Sequence, residues 1–161
     1  MSAGKYLVFA TIISTFVLIV WGAYLTAGGY GAGCGPASSN AISSDWPYCN
    51  GSLAIPNPST PAGYAALIEY VHRTLSVLVG VILIATVVVV ARMKPRPSGT
   101  FRALILSGVL LLVQIGLGNV VVNTALNSVW TAVHLGNAVA LFGVMVVAGV
   151  LVRQEDKGSG Y

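Results

Sequence analysis

The hydrophobic residues of this chain fall into four long runs separated by polar stretches, at about 6–27, 64–91, 103–122 and 129–152. Each run has about 20 residues or more, and a helix of that length spans the roughly 30 Å hydrocarbon core of a bilayer. A cleaved signal peptide would have an apolar region of only about 7–15 residues, so the first run predicts a retained helix. The pattern therefore predicts an all-α membrane protein, with one four-helix bundle over residues 1–161.

The composition agrees with a membrane location. Hydrophobic residues make up 56% of the chain and charged residues 7%, and the mean hydropathy is +0.85. A soluble domain averages about 25% charged residues, so too few charges remain here to solvate a water-exposed surface. The net charge of +4 could suggest a nucleic-acid partner. However, Lys and Arg cluster beside the apolar runs, and we expect no nucleic acid to bind.

The positions of the basic residues predict an orientation. Lys5, the basic segment 92–102 and the charged segment 153–157 fall on one side, whereas the loops 28–63 and 123–128 contain no Lys or Arg. By the positive-inside rule, both termini are cytoplasmic and the 28–63 loop is outside the plasma membrane. We expect the segment 153–157 to be a short charged tail that is disordered at its end.

The 28–63 loop is rich in Gly, Pro, Ser and Asn, and it holds both cysteines, Cys34 and Cys49. On the outer, oxidising side of the membrane these cysteines should form one disulfide. It would close a loop of about 16 residues, which contributes about 3 kcal/mol in the chain-entropy model. A structural bridge and a redox role in the reaction both remain open.

Three ionisable residues, Glu69, His72 and Arg73, precede the long apolar part of the second run. Within a membrane such groups cost roughly 2.5–3.5 kcal/mol each on insertion scales, so they are kept when paired or functional. Positions i, i+3 and i+4 share a helix face, and the three side chains should project together. Glu69 and Arg73 could equally form a structural ion pair near the interface.

The only other histidine, His134, lies near the start of the fourth run. Counted from the outer side, His72 is about eight residues into its helix and His134 about five, so their depths differ by only a few Å at about 1.5 Å per residue. Two histidines on alternate helices at one depth can hold a cofactor between them. Two hydrogen-bonded packing groups are the alternative, as is expected for Gln114, Asn119 and Asn123 in the third run.

Haem iron is the metal that two histidines favour. A closed zinc site usually has four ligands. Bridged di-iron bundles take a Glu-x-x-His motif from each of two helices, and only Glu69 and His72 form that motif, so a symmetric dimer would be needed. No Cys-x-x-Cys-His motif occurs, which predicts haem bound without thioether links.

Four motifs resemble the haem A synthase family. Glu69-Tyr70-Val71-His72-Arg73 is similar to the acidic-His-Arg signature of the family's second helix. Gly33-Cys34-Gly35 and Trp46-Pro47-Tyr48-Cys49-Asn50-Gly51 resemble its outer cysteine loop. Gln114-Ile115-Gly116-Leu117-Gly118 and His134-Leu135-Gly136-Asn137-Ala138 resemble its third and fourth helices. The resemblance covers nearly the whole chain, in the order that the family has.

The resemblance implies oxidation of the C8 methyl group of haem O to a formyl group, which gives haem A for terminal oxidases. By motif position, Glu69 matches the essential acid, His72 and His134 match the paired axial ligands of haem iron, and Cys34 and Cys49 match the loop disulfide. Glu69 would manage protons or stabilise a cationic intermediate at the methyl carbon. Arg73 would pair with Glu69 or with a haem propionate.

The chain departs from the family in two ways. Family members commonly have eight helices in two related halves, each with a histidine pair, and this chain corresponds to one half. The cysteines are also further apart, through an insertion at 37–44. One histidine pair cannot hold both a substrate haem and a separate haem b cofactor, so we expect a homodimer or a higher homo-oligomer.

Two further expectations concern partners and the alternative function. A haem O synthase and an electron donor are the protein partners that the resemblance implies. The alternative is a b-type haem electron carrier, or a haem-delivery or assembly protein without catalysis. That alternative requires His72 and His134 but gives Glu69 no role.

Overall fold

The computed structural model describes residues 3–35, 49 and 51–158, with side chains as far as Glu155. Four helices follow one another: α1 (Ala3–Ala27), α2 (Pro61–Arg92), α3 (Ser98–Asn123) and α4 (Ser128–Gly158). Each is long and apolar enough to cross a membrane, and the described residues contain no β-strand. The prediction of an all-α, four-helix membrane protein is confirmed. The expected insertion at 37–44 lies outside the described residues.

The helices form a ring in which each contacts two neighbours. α1 packs against α2 and α4, and α3 packs against α4 and α2. Within the described residues α2 and α4 make no direct contact, so they face each other across the bundle. We call the end with residues 28–60 and 124–127 the loop end, and the end with both termini and residues 93–97 the terminal end.

Local signals explain where α2 and α4 begin. Thr60 precedes α2 and its hydroxyl accepts a hydrogen bond from the Gly63 amide (3.1 Å), while Pro61 occupies the first helical position. Asn127 plays the same part for α4, because its side-chain oxygen accepts from the Val129 amide (3.0 Å). Both caps satisfy amides that have no partner within their own helix.

The terminal end corrects two expectations. α3 begins at Ser98, about five residues before the predicted start, and α4 continues to Gly158, so residues 153–158 are helical rather than a disordered tail. The Glu155 carboxylate explains both, because it accepts hydrogen bonds from the Gly99 amide (2.9 Å) and the Thr100 amide (3.3 Å). A carboxylate at a helix N-terminus is stabilised by the helix dipole, so this contact holds the two helix ends together.

The core of the bundle lies mainly toward the terminal end. Its aliphatic members interdigitate there, and between them lie hydroxyl groups that bond to carbonyl oxygens of their own helices, such as Thr86 to Ile82 (2.8 Å) and Ser107 to Ala103 (2.9 Å). One pair also bonds across helices, Thr11 to Thr86 (2.8 Å). The buried aliphatic residues of this core are Val8, Leu83, Val90, Leu104, Leu141, Met145, Ala148 and Val152.

The outer surface of the bundle is apolar. Large exposed hydrophobic side chains occur on all four helices, as expected where lipid replaces water as the solvent. They include Ile13, Ile84, Leu112, Ile115, Val129 and Val139. A multi-pass membrane protein follows from these faces together with the lengths of the helices.

Candidate functional site at the loop end

The two histidines lie in the loop-end half, on helices that face each other across the bundle. His72 is on α2 and His134 is on α4, and the imidazoles are close enough to interact electrostatically. Since α2 and α4 do not touch, the two rings approach each other across the interior of the ring of helices. The structure therefore brings together the two side chains that the sequence singled out as a pair.

Each imidazole packs against a glycine on the preceding helix. A Cβ atom built on Gly22 of α1 would lie 3.0 Å from His72 Cε1, and one built on Gly118 of α3 would lie 3.3 Å from His134 Cε1. Real Cβ contacts are rarely that short, so a larger residue would displace the ring. Both histidines thus depend on the absence of a side chain at a neighbouring position.

One nitrogen of each ring has no hydrogen-bond partner among the described residues. His72 Nδ1 and His134 Nδ1 are both buried and unpaired. Buried polar atoms are normally satisfied, so each unpaired one calls for an explanation such as a ligand. Two converging imidazoles with unsatisfied nitrogens have the chemistry of a pair of axial ligands to haem iron.

His134 has an orienting network that crosses between helices. Its Nε2 lies 3.2 Å from Gln114 Nε2, and because an amide nitrogen only donates, the ring nitrogen is the acceptor. Asn137 in turn donates to Gln114 Oε1 (2.6 Å) and to the Leu110 carbonyl (3.0 Å). Gln114 therefore makes the interhelical bonds that the sequence predicted.

Two other polar residues of α3 behave differently. Asn119 and Asn123 were expected to bond between helices, but Asn123 donates to Asn119 within α3 (2.8 Å). The four-residue spacing places these side chains one turn apart on one helix face. They are exposed, so they do not contribute to the interior of the site.

Glu69 is buried beside this pair and its carboxylate is fully engaged. Its side chain belongs to a residue that is 3% exposed. Oε1 accepts from Arg73 Nε (3.0 Å) and also from Arg73 Nη2, and Oε2 accepts from the backbone amide of Cys34 (2.9 Å). The predicted ion pair is present, and a second contact joins Glu69 to the cysteine loop.

Arg73 also borders a cavity on the outer side of α2. The cavity has a volume of about 370 Å³ and is open to the surroundings. Its walls are mainly apolar, so Arg73 supplies the charged group there. The lining residues are Leu53, Tyr70, Arg73, Thr74, Val77, Leu78 and Val81.

Cys34 and Cys49 form a disulfide bond that rests on α2. Their sulfur atoms lie 3.6 Å and 3.8 Å from the Ala66 carbonyl oxygen, one turn before Glu69. Both cysteines are almost completely buried. The disulfide is therefore part of the same structural unit as Glu69.

Several contributors to the site were not identified from the sequence. These are the glycines against the two rings, the amide of Cys34, Asn137, and Trp21, whose indole donates to the Ile68 carbonyl (3.1 Å). A glycine inside an apolar helix is a weak sign of close approach, and that sign was available for Gly22. The partner of a backbone amide has no signature in sequence.

A metal site built from protein ligands alone has no support in the described part of the chain. It contains no cluster of three or more His, Cys, Asp or Glu side chains able to hold an ion. A haem supplies four ligands of its own, so two imidazoles suffice for it. The donor set fits a haem better than a zinc or di-iron centre.

The sequence also matches known proteins. The family model COX15-CtaA, described as cytochrome oxidase assembly protein, matches residues 5–160. Haem A synthase from Symbiobacterium thermophilum is 28% identical over 141 residues, which cover 88% of this chain and 42% of that protein. Haem A synthase from Bacillus pumilus is 31% identical over 152 residues, covering 91% of this chain and 45% of that protein.

A second kind of relative matches over the same stretch. Protoheme IX farnesyltransferase 1 from Natronomonas pharaonis is 31% identical over 150 residues, which cover 93% of this chain and 28% of that protein. The chain thus spans less than half the length of these relatives. No solved structure matches.

Proposed function

The chain belongs to the COX15-CtaA family of cytochrome oxidase assembly proteins, and we propose that it oxidises the C8 methyl group of haem O to a formyl group. The relatives named haem A synthase support this activity. With water as the formal oxygen source, each methyl group gains one oxygen atom and loses four electrons and four protons. The reaction therefore needs an electron acceptor and groups that handle protons in a water-poor site.

We assign His72 and His134 as the axial ligands of haem iron. The unpaired Nδ1 atoms and the approach of the rings across the bundle support this assignment. Haem b bound there would supply a redox-active iron, with substrate haem O and product haem A as the other haems of the reaction. Gly22 and Gly118 would set the ring orientations, which fix the direction of the ligand lone pairs.

Glu69 is the residue to which we assign the proton and charge handling. It is a buried carboxylate in the loop-end half, held by Arg73 and by the Cys34 amide. A carboxylate fixed in a low-dielectric site stabilises positive charge that develops nearby, here at the methyl carbon, and it can accept a proton from it. Arg73 keeps Glu69 oriented, and its guanidinium also suits a haem propionate.

We place both termini in the cytoplasm and the cysteine loop outside the plasma membrane. The distribution of Lys and Arg supports that orientation, since the described part of the loop end between α1 and α2 and between α3 and α4 contains neither. The site would then face the outer leaflet.

A homodimer would supply the second histidine pair. The chain spans less than half of the haem A synthases that it matches, and one pair holds one haem. Gly136 and Gly143 of α4 have no neighbour within 4 Å of a built Cβ, so that helix face is free of contacts with the described residues and is shaped for close helix approach. Crosslinking that gives a fully active strict monomer would reject the dimer.

A farnesyltransferase acting on haem is the partner we propose for substrate supply. The match to protoheme IX farnesyltransferase covers most of this chain and only 28% of that relative, so the matching part is joined there to a much longer remainder. A haem O synthase beside this chain would deliver its substrate within the membrane. An electron donor is the remaining partner.

A second candidate function is a b-type haem electron carrier or haem-delivery protein. The observation that favours it is the complete engagement of the Glu69 carboxylate by Arg73 and Cys34, which also accounts for Glu69 as a structural residue. This function needs the two histidines and no chemistry at Glu69.

The test is haem extraction and mass analysis after expression in cells supplied with haem O. Glu69→Gln and Glu69→Ala should retain bound haem and lose haem A and its hydroxymethyl precursor. Glu155→Gln is the matched control, since Glu155 also accepts backbone amides but at the terminal end. Unchanged haem A output from the Glu69 variants would leave the carrier function, and absence of haem from the unmodified chain would overturn the ligand assignment.

A further inference from the structure

The contact between the cysteine loop and Glu69 carries an inference of its own. We infer that the Cys34–Cys49 loop is a positioning element for the Glu69 carboxylate, and that Glu69 in return holds the loop closed over its disulfide. The hydrogen bond from the Cys34 amide to Glu69 Oε2 (2.9 Å) is the joint between them. The catalytic consequence rests on the proposed function, whereas the mechanical coupling stands without it.

The loop approaches α2 too closely for this contact to be incidental. A Cβ built on Gly33 would lie 2.3 Å from the Ala65 carbonyl carbon and 2.5 Å from the Ala66 amide nitrogen. Backbone atoms cannot move aside as a flexible side chain can. Glycine at position 33 therefore lets the loop backbone lie directly on α2, with the next amide aimed at the carboxylate.

The disulfide completes this seat. Cys34 is 1% exposed and Cys49 is 3% exposed, and both sulfur atoms lie against the Ala66 carbonyl. The covalent link restricts the backbone at Cys34, so its amide stays directed at Glu69. Arg73 fixes the other carboxylate oxygen from within α2. Glu69 is thus held on one side by its own helix and on the other by the loop.

Coupling of this kind is reciprocal. If the closed loop favours the oriented carboxylate, the carboxylate favours the closed loop by the same free energy. A hydrogen bond to an ionised acceptor is stronger than one between neutral groups, so losing the charge should open the loop more often. The buried disulfide would then be attacked more readily, because thiol–disulfide exchange depends on access to a sulfur atom.

The reaction used as a probe is reduction by dithiothreitol, a dithiol. One thiolate attacks a disulfide sulfur to give a mixed disulfide, and the second thiolate of the reagent displaces the protein thiol. The reagent is oxidised to its cyclic disulfide, and two electrons and two protons convert Cys34 and Cys49 to thiols. The rate of appearance of protein thiols therefore reports how often the loop opens.

The experiment compares reduction rates of the full chain in detergent micelles for the unmodified protein, Glu69→Gln, Glu69→Ala and Glu155→Gln. Loss of a hydrogen bond to a charged group predicts roughly tenfold or greater acceleration in Glu69→Ala. Glu69→Gln keeps a neutral acceptor and the side-chain shape, so it should fall between. Equal rates in all four proteins, or acceleration by Glu155→Gln as well, would overturn the coupling.

A double variant separates this coupling from general destabilisation. Gly33→Ala should accelerate reduction alone, but add little in the Glu69→Ala background, because both changes break the same joint. Gly108→Ala is the matched glycine control, since a Cβ there meets nothing within 4 Å. Fully multiplicative effects of Gly33→Ala and Glu69→Ala would refute a shared joint. These rates need no haem oxidation, so a chain that fails to make haem A would still test the coupling.

The same variants test positioning. Gly33→Ala should keep its haem spectrum and haem content while haem A output falls, whereas Gly108→Ala should keep both. Retained haem A output in Gly33→Ala, together with accelerated disulfide reduction, would show that the loop moves without Glu69 losing its place, and would refute the positioning role.

Discussion

The terminal end and the loop end of this bundle are built on different principles. At the terminal end, buried hydroxyls such as Thr86 and Ser107 are satisfied by carbonyls of their own helices, and aliphatic side chains fill the space between helices. At the loop end, His72 and His134 each keep a buried nitrogen without a partner among the described residues. One end is complete by itself, and the other is chemically complete only with something bound.

The difference shows where a membrane protein can accommodate polar chemistry. Hydrocarbon cannot satisfy a polar group, so each unpaired atom at the loop end costs free energy until a ligand is bound. The packed terminal end and the Cys34–Cys49 disulfide hold the helices in register from both sides of that region. Stability and function are thus separated along the helix axes, and this separation can be tested.

Removing an imidazole should have the largest effect. His72→Ala or His134→Ala should abolish haem binding at this site, because each ring supplies one of the two ligands. Absorption spectra and extracted haem per chain are the measurement. Asn123→Ala, an exposed polar change at the same end, is the control and should keep the full haem content. Retention of the six-coordinate spectrum in either histidine variant would contradict the assignment.

A cavity at the terminal end should reduce stability without changing the haem spectrum. Leu104 is fully buried, and Leu104→Ala should lower the free energy of unfolding by about 2–5 kcal/mol. Unfolding in mixed micelles measures this, with Leu112→Ala as the control because Leu112 is 70% exposed on the outer face. An altered haem spectrum in Leu104→Ala would show that the two ends are not separate.

A methyl group against an imidazole should have an intermediate effect. In Gly22→Ala the new Cβ lies 3.0 Å from His72 Cε1, so the ring must shift or leave its preferred rotamer, at about 0.5–1.5 kcal/mol. That cost corresponds to roughly two- to tenfold weaker haem binding. Haem titration measures it, with Gly108→Ala as the control. Unchanged affinity and spectrum would mean that Gly22 does not orient His72.

The smallest effect is expected for the hydroxyl pair of the terminal end. Thr86→Val removes the bond to Thr11 while keeping the shape, and interhelical bonds in membranes average about 0.6 kcal/mol. Unfolding measurements should detect a loss of that size and no change in bound haem. A loss of several kcal/mol would show that the terminal end depends on polar contacts more than on packing.

Local sequence signals predicted much of this architecture. The four apolar runs predicted the helices, because each exceeds the length needed to cross a bilayer. The four-residue spacing of Glu69 and Arg73 predicted their ion pair, and the placement of Cys34 and Cys49 in one loop predicted their disulfide. Each of these rests on neighbours in sequence or on a pairing with a single possible solution.

The contacts that sequence could not reveal join distant parts of the chain. The start of α3 and the end of α4 were misplaced because Glu155 contacts Gly99 only after the bundle has formed. The seat of His72 on Gly22 depends likewise on how α1 and α2 pack. Hydropathy reports the medium around a helix, but it contains no information on which neighbour a given side chain meets.

The ring of four antiparallel helices also has a genetic consequence. An even number of crossings returns the chain to the side on which it began, and α1 and α4 are neighbours in the ring. A copy of the coding sequence, or that of another enzyme, can therefore be joined in tandem without inverting either unit in the bilayer. Duplication and fusion are both open to such a module by a single recombination event, with no change to its topology.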